Sequence, residues 1–259
     1  YNLVKILSKH FKVDLVVITR EDLTADDENF LRNYTASYKV FTFPRWRFLL
    51  NAIKFLFNSK PLQINYYYFK EAQKYIDQKS ENTDLIIAAV VRIAEYVYSK
   101  QKPKIFDMAD SIGLTYKSSY KRTSSLFWKL IYFLEYPRML RYEAKMIEHF
   151  DATILFNQRD IDYFNCKKIH WFPHGTNQSL LEYQKTATEY SNFVSFFGKM
   201  NYQPNIDAVV WFAKNILPEL PSEINFQIIG ANPTKEIIEL QKENPRIFIR
   251  GYIDDPYLL

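Results

Sequence analysis

Two carboxylates and a hydroxyl follow a short predicted strand at 104–106: Asp107, Asp110 and Ser111. Carboxylates at this spacing can orient sugar hydroxyls, or one of them can act as a general base. The same residues also suit a structural role, because Asp110 or Ser111 can cap the segment that follows. The sequence leaves both interpretations open.

A histidine and a glycine, His174-Gly175, are predicted to form a turn after another short strand, 168–172. His174 can bind or donate to a ligand, or it can be a polar residue of a surface turn. The histidines show neither HExxH nor any other metal-ligand spacing, and the single cysteine, Cys166, excludes an intrachain disulfide and a cysteine-based zinc site. We therefore expect no metal site, and a reducing compartment, the cytoplasm.

The third cluster connects a strand-type stretch, 192–197, through Gly198 to a helix. Asn205 is a favoured N-cap, and Asp207 is a carboxylate in the first turn, where the helix dipole favours it. The backbone N–H groups of such a helix N-terminus can bind an anion or a nucleotide phosphate. The same geometry is also found in plain strand-to-helix connections. The loop side chains that could contribute are a cation, an amide and an aromatic ring: Lys199, Asn201 and Tyr202.

The elements that position these clusters alternate along the whole chain of 259 residues. Short apolar strands followed by amphipathic helices are typical of α/β proteins with parallel sheets. A polar stretch without periodicity predicts a linker at 178–191, between a first domain at 1–177 and a second at 192–259, each with one sheet. A long helical region is predicted over 124–150, interrupted near Pro137. We also predict a helix over 205–217, with Trp211 and Phe212 in the core. Its apolar face is predicted from residues at helical spacing: Ile206, Val209, Val210, Ala213, Ile216 and Leu217.

The charge distribution favours some partners over others. The net charge is +5 and the pI is about 9.0, but acidic residues are interspersed nearly everywhere, so nucleic acid is not an expected partner. No apolar run approaches the ~20 residues that a membrane-spanning helix needs.

Two segments are both basic and aromatic: Arg45–Lys60 and 116–141. The first contains a predicted helix over 45–58 that is apolar around most of its circumference. Such a helix can lie on an anionic membrane surface, with Trp46 in the lipid. It can equally cover the sheet, with its Lys and Arg stems packed along apolar surface.

The segment 196–220 carries a specific resemblance through its sequence FFGKMNYQPNIDAVVWFAKNILPEL. It resembles the start of the C-terminal half of bacterial family 4 (group 1) glycosyltransferases, close to the sugar transferases of exopolysaccharide clusters, where the pattern runs roughly GxMxYxPNxDAxxWFxxxxxP. Further stretches are similar to that family: FDMADS at 106–111, EYPRMLRYEAKMIEHFD at 135–151, FQIIGANP at 226–233 and GYIDD at 251–255.

The resemblance implies the GT-B fold, an α/β architecture of two Rossmann-like parallel-sheet domains. Relative to that family the chain is expected to be truncated at both ends, with the second domain incomplete. The implied activity is retaining transfer from a nucleotide-sugar to a cell-surface polysaccharide or lipid-linked glycan, at the inner face of the plasma membrane, with no cofactor and no obligatory metal. Asp107, Asp110 and Ser111 would lie on the acceptor or sugar side. The donor-side residues would be His174, Gly175, Gly198, Lys199, Asn201, Tyr202 and Asn205.

Two positions depart from the family pattern, and one of them, the Lys that is Pro204 here, favours an alternative together with the expected truncation at both ends. Pro204 stands where many relatives have a phosphate-binding Lys, and Asp107 stands roughly where many have a histidine. A non-catalytic binding or scaffolding protein that retains the glycosyltransferase fold is therefore the second hypothesis.

Overall fold

The computed structural model describes residues 2–123, 125–173, 175 and 188–254. The chain divides into two compact units, Tyr1–Gly175 and Thr176–Leu259. Of the expected linker, residues 178–187 lie outside the described residues.

In the first unit, parallel strands alternate with helices. The strands are β1 (Asp14–Thr19), β2 (Ser37–Thr42), β3 (Ile86–Ala89), β4 (Lys104–Ala109), β5 (Ala152–Leu155) and β6 (Ile169–Trp171). The helices are α1 (Asn2–Leu7), α2 (Ala25–Tyr34), α3 (Arg45–Ile53), α4 (Leu62–Tyr66), α5 (Lys70–Ser80), α6 (Val91–Ala94), α7 (Ile112–Arg122), α8 (Leu126–His149) and α9 (Gln158–Phe164).

The strands of this unit form two parallel sheets rather than the single sheet that the sequence predicts. β1 pairs with β2, and the other four strands pair in the order β3-β4-β5-β6. Strand periodicity indicates which segments are extended but not which edges meet, and this is why the division was not predicted. Both sheets nevertheless contact the same hydrophobic core, since Ile18 of β1 and Ile86 of β3 pack against it.

Much of the unusual aromatic content lies in this core. Phe43 stacks on Phe69 with 3.9 Å between ring centroids, and Phe48 meets Phe69 edge-on at 4.7 Å. The buried Tyr96 hydroxyl donates to the Tyr67 carbonyl at 2.6 Å and accepts from the Phe69 amide at 2.8 Å. A buried tyrosine needs such partners, because an unpaired hydroxyl in an apolar core is costly.

Two helix predictions need correction. The helix expected over 45–58 ends at Ile53, and a 3₁₀ turn, Lys54–Phe57, continues it. Pro137 does not interrupt the long helix: α8 runs through it from Leu126 to His149. Proline removes one helix hydrogen bond, but the C-terminal half of α8 packs against the core and the first part contacts α7, so the helix is maintained on both sides.

The second unit is a three-stranded parallel sheet with the order β7-β8-β9. Its elements are β7 (Phe193–Phe197), α10 (Gln203–Asn215), β8 (Asn225–Ile229), α11 (Lys235–Glu243) and β9 (Ile247–Gly251).

The apolar face predicted for α10 is confirmed. Ile206, Val209 and Ala213 are buried in the core of this unit. Phe212 also packs there, 4.5 Å from Phe226 between ring centroids, but the expectation for Trp211 is wrong, since 58% of its surface is exposed. A residue two positions from both Val209 and Ala213 points away from their face of a helix.

Among the described residues, no helix combines the length and apolar character needed to cross a bilayer.

Candidate functional site

The first candidate site lies at the carboxyl end of β4. Asp107 is part of the strand, opposite Ala89 of β3 and Ile154 of β5, and its carbonyl accepts from the Val90 amide at 2.7 Å. The pairing with β5 shifts between Asp107 and Ala109, which is a β-bulge. In open α/β sheets ligands bind beyond this end of the strands, and bulges often occur beside sites.

Two backbone positions at this edge are strained. Val90, after β3, has φ 65°, and Ala109, at the end of β4, has φ 64°. The left-handed region is unfavourable for residues with a Cβ, most of all for a β-branched valine. Strain of this kind is concentrated at functional sites. The pair of strained residues on neighbouring strands therefore singles out this edge.

Ser111 is fully buried and its hydroxyl holds the start of α7. The hydroxyl accepts from the Leu114 amide at 3.0 Å as an N-cap and donates to Glu143 Oε2 at 2.7 Å. The Gly113 amide donates to the other Glu143 oxygen at 3.1 Å. The capping interpretation of Ser111 thus matches the geometry, whereas its hydroxyl is directed into the protein.

Glu143, which sequence reasoning did not assign to a site, is a buried carboxyl of α8. Burial raises the pKa of Glu143 from 4.5 to about 7, while the hydrogen bonds from Ser111 and Gly113 oppose the rise. Near neutral pH, Glu143 is therefore present in both its protonated and its ionised form. No local signal could have placed it here, because it lies 32 positions after Ser111.

Asp110 is the exposed carboxylate of the predicted trio. Asn157 Nδ2 donates to Asp110 Oδ1 and to Asp160 Oδ2, both at 3.0 Å, and Asp160 Oδ2 also accepts from the Ser111 amide at 2.7 Å. Asn157 follows β5, so the rule that sites lie at strand carboxyl ends could have found it. The structure brings Asp107, Asp110 and Ser111 to one edge, with Asp110 open to solvent and Ser111 enclosed.

A second polar group of the first unit surrounds α6. Arg92 Nε donates to Gln63 Oε1 at 2.8 Å, and its guanidinium lies 5.2 Å from the ring centre of Tyr67. Gln63 Nε2 also bonds the Tyr116 hydroxyl, and burial raises the pKa of Tyr116 to about 12. Tyr67 in turn borders a shallow cavity of about 200 Å³ at the carboxyl end of β1, which is also lined by Ile18, Thr19, Arg20 and Glu21. Cationic and aromatic groups of this kind suit a polar, anionic or sugar ligand.

In the second unit, Gly198 and Gly230 bring two turns together. A Cβ on Gly230, whose φ is 152°, would lie 1.7 Å from the Gly198 carbonyl oxygen. The Met200 amide donates to the Ala231 carbonyl at 2.9 Å. Only glycine permits this approach, which places the loop after β7 directly beside the end of β8.

The helix after this loop begins earlier than predicted. The N-cap of α10 is Tyr202, and Asn205 lies inside the first turn, where its Nδ2 donates back to the Lys199 carbonyl at 3.0 Å. The Asn205 and Ile206 amides already donate to the Tyr202 carbonyl. Pro204 has no N–H to offer. Few backbone donors are thus left for an anion, and the exposed Lys199 carries the positive charge of this loop.

The remaining predicted donor residues are less informative. Asn201 and Tyr202 are exposed, with 58% of the Tyr202 surface in solvent. Gly175 is exposed, and a Cβ there would meet nothing within 4 Å. His174 lies outside the described residues. Among the described residues, no group of three or more His, Cys, Asp or Glu side chains is arranged to hold a metal ion.

Comparison with known proteins gives structural matches but no sequence matches. No family model matches the chain, and no curated protein matches it in sequence. Among solved structures it is similar to TarM, with a TM-score of 0.50 and 11% identity over 71% of this chain and 36% of that one. A weaker likeness is to OtsA, with a TM-score of 0.47 and 8% identity over 95% of this chain and 75% of that one. This chain spans about a third of the length of TarM.

TarM is a glycosyltransferase of the GT-B type. At 11% identity the likeness concerns the fold and not the residues of a site. Together with the parallel sheets of both units, it shows that the chain has an α/β fold of the GT-B type.

Proposed function

We propose that this protein is a nucleotide-sugar-dependent glycosyltransferase, akin to the family 4 enzymes that its 196–220 segment resembles. The observation that carries the proposal is the GT-B fold, in which polar residues gather at the carboxyl ends of parallel strands in each unit. That edge is where open α/β sheets bind nucleotides and sugars.

The donor would bind to the second unit. Lys199 offers an exposed ammonium beside the N-terminus of α10, and Tyr202 offers an exposed ring at the same loop. A diphosphate is stabilised by a cation and by a helix N-terminus, so donor binding of this kind requires no metal ion. With Pro204 in the first turn, the Lys199 ammonium supplies the larger share of that stabilisation.

The acceptor would bind to the first unit, at the edge that carries Asp107 and Asp110. An exposed carboxylate held by Asn157 can accept hydrogen bonds from sugar hydroxyls. We propose retaining transfer to a cell-surface polysaccharide or lipid-linked glycan, at the cytoplasmic face of the plasma membrane. Glu143 and Ser111 would act as positioning residues, since they fix the bulged end of β4 and the start of α7.

Calorimetric titration of the full chain with UDP-, GDP- and dTDP-sugars tests the donor site. Lys199→Ala should weaken binding of the preferred nucleotide-sugar about tenfold or more, because a charge-assisted hydrogen bond to phosphate is lost. Lys214→Ala, at the other end of α10, is the matched control and should bind as the unchanged protein does. Absence of saturable binding to all three sugar classes would reject the enzyme in favour of the non-catalytic alternative.

A further inference from the structure

One side of α3 is buried and the opposite side is an apolar stripe in solvent. Phe48 is fully buried, and Asn51 donates from within the protein to the Tyr68 carbonyl at 2.8 Å. The exposed stripe recurs at helical spacing and continues into the 3₁₀ turn, where Phe57 leaves 84% of its surface in solvent. Its members are Trp46, Leu49, Leu50, Ile53, Leu56 and Phe57. The predicted covering role of this helix therefore accounts for only one of its faces.

The first part of α8 is also apolar and exposed. Its buried residues begin at Glu135, and Leu126–Leu134 contains none of them. This part is supported by α7 through ring contacts, such as Tyr120 with Phe133 at 5.7 Å between centroids. The exposed residues are Leu126, Phe127, Trp128, Leu130, Phe133 and Leu134, and Leu126 leaves 83% of its surface in solvent.

Hydrogen bonds join the segments that carry the two stripes. Arg138 Nη2, one turn after Leu134, donates to the carbonyls of Phe55 at 2.8 Å and of Asn58. Glu135 Oε2 accepts from the Leu62 amide at 2.6 Å. The end of the α3 segment is thereby held to α8 beside the two stripes, which are together called the apolar face.

The charged residues of the two segments that carry the apolar face are nearly all basic. The segments 45–60 and 116–141 hold ten of the 34 Lys and Arg but one of the 29 Asp and Glu, and that one, Glu135, is buried. The rest of the chain has 24 basic and 28 acidic residues, so it is net negative. Ion pairs occupy Arg47, Lys60 and Arg138. Arg45, Lys121 and Arg122 have exposed side chains.

Large exposed apolar patches usually mark a surface that binds a partner or a membrane. The charges near this patch indicate which of the two binds here. A second copy docked symmetrically would bring cations against cations, because a two-fold interface pairs a surface with itself. A bilayer with anionic headgroups offers both an apolar interior and negative charge.

We propose that the apolar face docks on an anionic lipid bilayer, with the α3 stripe and the first part of α8 immersed at the headgroup boundary. The inference deepens the proposed function, since it would bring the acceptor edge to a lipid-linked glycan. The binding itself requires neither donor nor activity.

The four tryptophans of the chain allow a test by position. Trp46 and Trp128 belong to the apolar face, whereas Trp171 and Trp211, exposed to 60% and 58%, do not. In four proteins that each retain one tryptophan, vesicles of phosphatidylcholine, phosphatidylglycerol and bromine-labelled lipid should quench Trp46 and Trp128 and leave Trp171 and Trp211 unquenched. Equal quenching of all four, or of none, would overturn the proposal.

Vesicle sedimentation supplies a matched pair of variants. Leu130→Glu should lower the partition coefficient about tenfold or more. Ile6→Glu, on α1 of the same unit and with nearly the same exposure, 58% against 57%, should leave it unchanged. Arg45→Glu should lower binding to anionic vesicles about fivefold and leave binding to pure phosphatidylcholine nearly unchanged.

Two further results would reassign the surface. A lipid-free dimer that Leu126→Glu dissociates, together with vesicle binding that ignores Leu130→Glu, would assign the face to a second copy. If neither Leu126→Glu nor Leu130→Glu changes vesicle binding, the apolar face is not the part of the protein that binds lipid. If no nucleotide-sugar binds but the protein still binds vesicles, the proposed enzymatic function is rejected and the membrane proposal stands. The two proposals can therefore be tested separately.

Discussion

Glu143 and Ser111 show how single residues determine the shape of the candidate acceptor edge. A buried carboxyl is costly unless donors surround it, and here the donors are the cap hydroxyl and an amide from the first turn of α7. The same carboxyl ties α8 to the end of β4. Glu95 is another buried carboxyl that joins separate segments. It accepts a hydrogen bond from Tyr142 at 2.8 Å and pairs with Lys60 at 2.6 Å.

The raised pKa of Glu143 predicts a pH-dependent stability. The folded state binds the Glu143 proton more tightly than the unfolded state does, so this contribution is full below about pH 4.5 and is lost as the pH rises through about 7. Relative to Glu143→Gln, the unchanged protein should therefore lose up to about 3 kcal/mol of unfolding free energy over that interval.

Urea unfolding of the first unit at several pH values measures this difference. Glu148→Gln, an exposed position on the same helix, is the control and should follow the pH profile of the unchanged protein. Parallel profiles for Glu143→Gln and the unchanged protein would contradict the prediction.

At the scale of elements, α8 serves two purposes along its length. Its second half is buried in the core through residues such as Met139 and Met146, while its first half presents the apolar face. Burial of the second half stabilises the helical conformation at Pro137. A proline in a helix interior nevertheless forfeits a hydrogen bond and crowds the preceding turn.

Replacing that proline should stabilise the protein. Pro137→Ala restores a backbone donor to the helix interior and should raise the unfolding free energy of the first unit by about 1–3 kcal/mol. Pro204→Ala makes the same change in the first turn of α10, where proline is well tolerated, and should alter stability by less than about 0.5 kcal/mol. Chemical denaturation compares the two variants. A loss of stability in Pro137→Ala would show that contacts of the ring outweigh the missing hydrogen bond.

At the scale of the whole molecule, each unit has its own core. The core of the first unit centres on rings such as Phe106 and Phe150, and that of the second on aliphatic residues such as Ile228 and Ile237. Residues that share a core unfold together, whereas separate cores can unfold in separate transitions.

Core truncations should therefore affect one transition each. Ile228→Ala should destabilise the second unit by about 2–5 kcal/mol, and Ile147→Ala should destabilise the first by a similar amount. Scanning calorimetry should show two transitions, of which each variant lowers one. A single transition that both variants shift would mean that the units unfold as one.

The sequence by itself determined the local features of this protein. Periods of two and 3.6 residues identified parallel strands alternating with helices. The apolar face of α10 was predicted correctly at Ile206, Val209 and Ala213, because that pattern is local, whereas Trp211 was misplaced. The strand-end rule located Asp107, Asp110 and Ser111, since polar residues after a buried strand must emerge at the edge of the sheet.

Only the tertiary structure decided how these features combine. It placed Glu143 and Asp160 on Ser111 from 32 and 49 positions away, and it separated β1 and β2 from the other sheet. It also exposed Trp211 and the first part of α8. Removing an apolar side chain from water lowers the free energy wherever the side chain is buried. Whether it is buried in a core, against a neighbouring helix or in a membrane depends on contacts between segments that lie far apart in the chain.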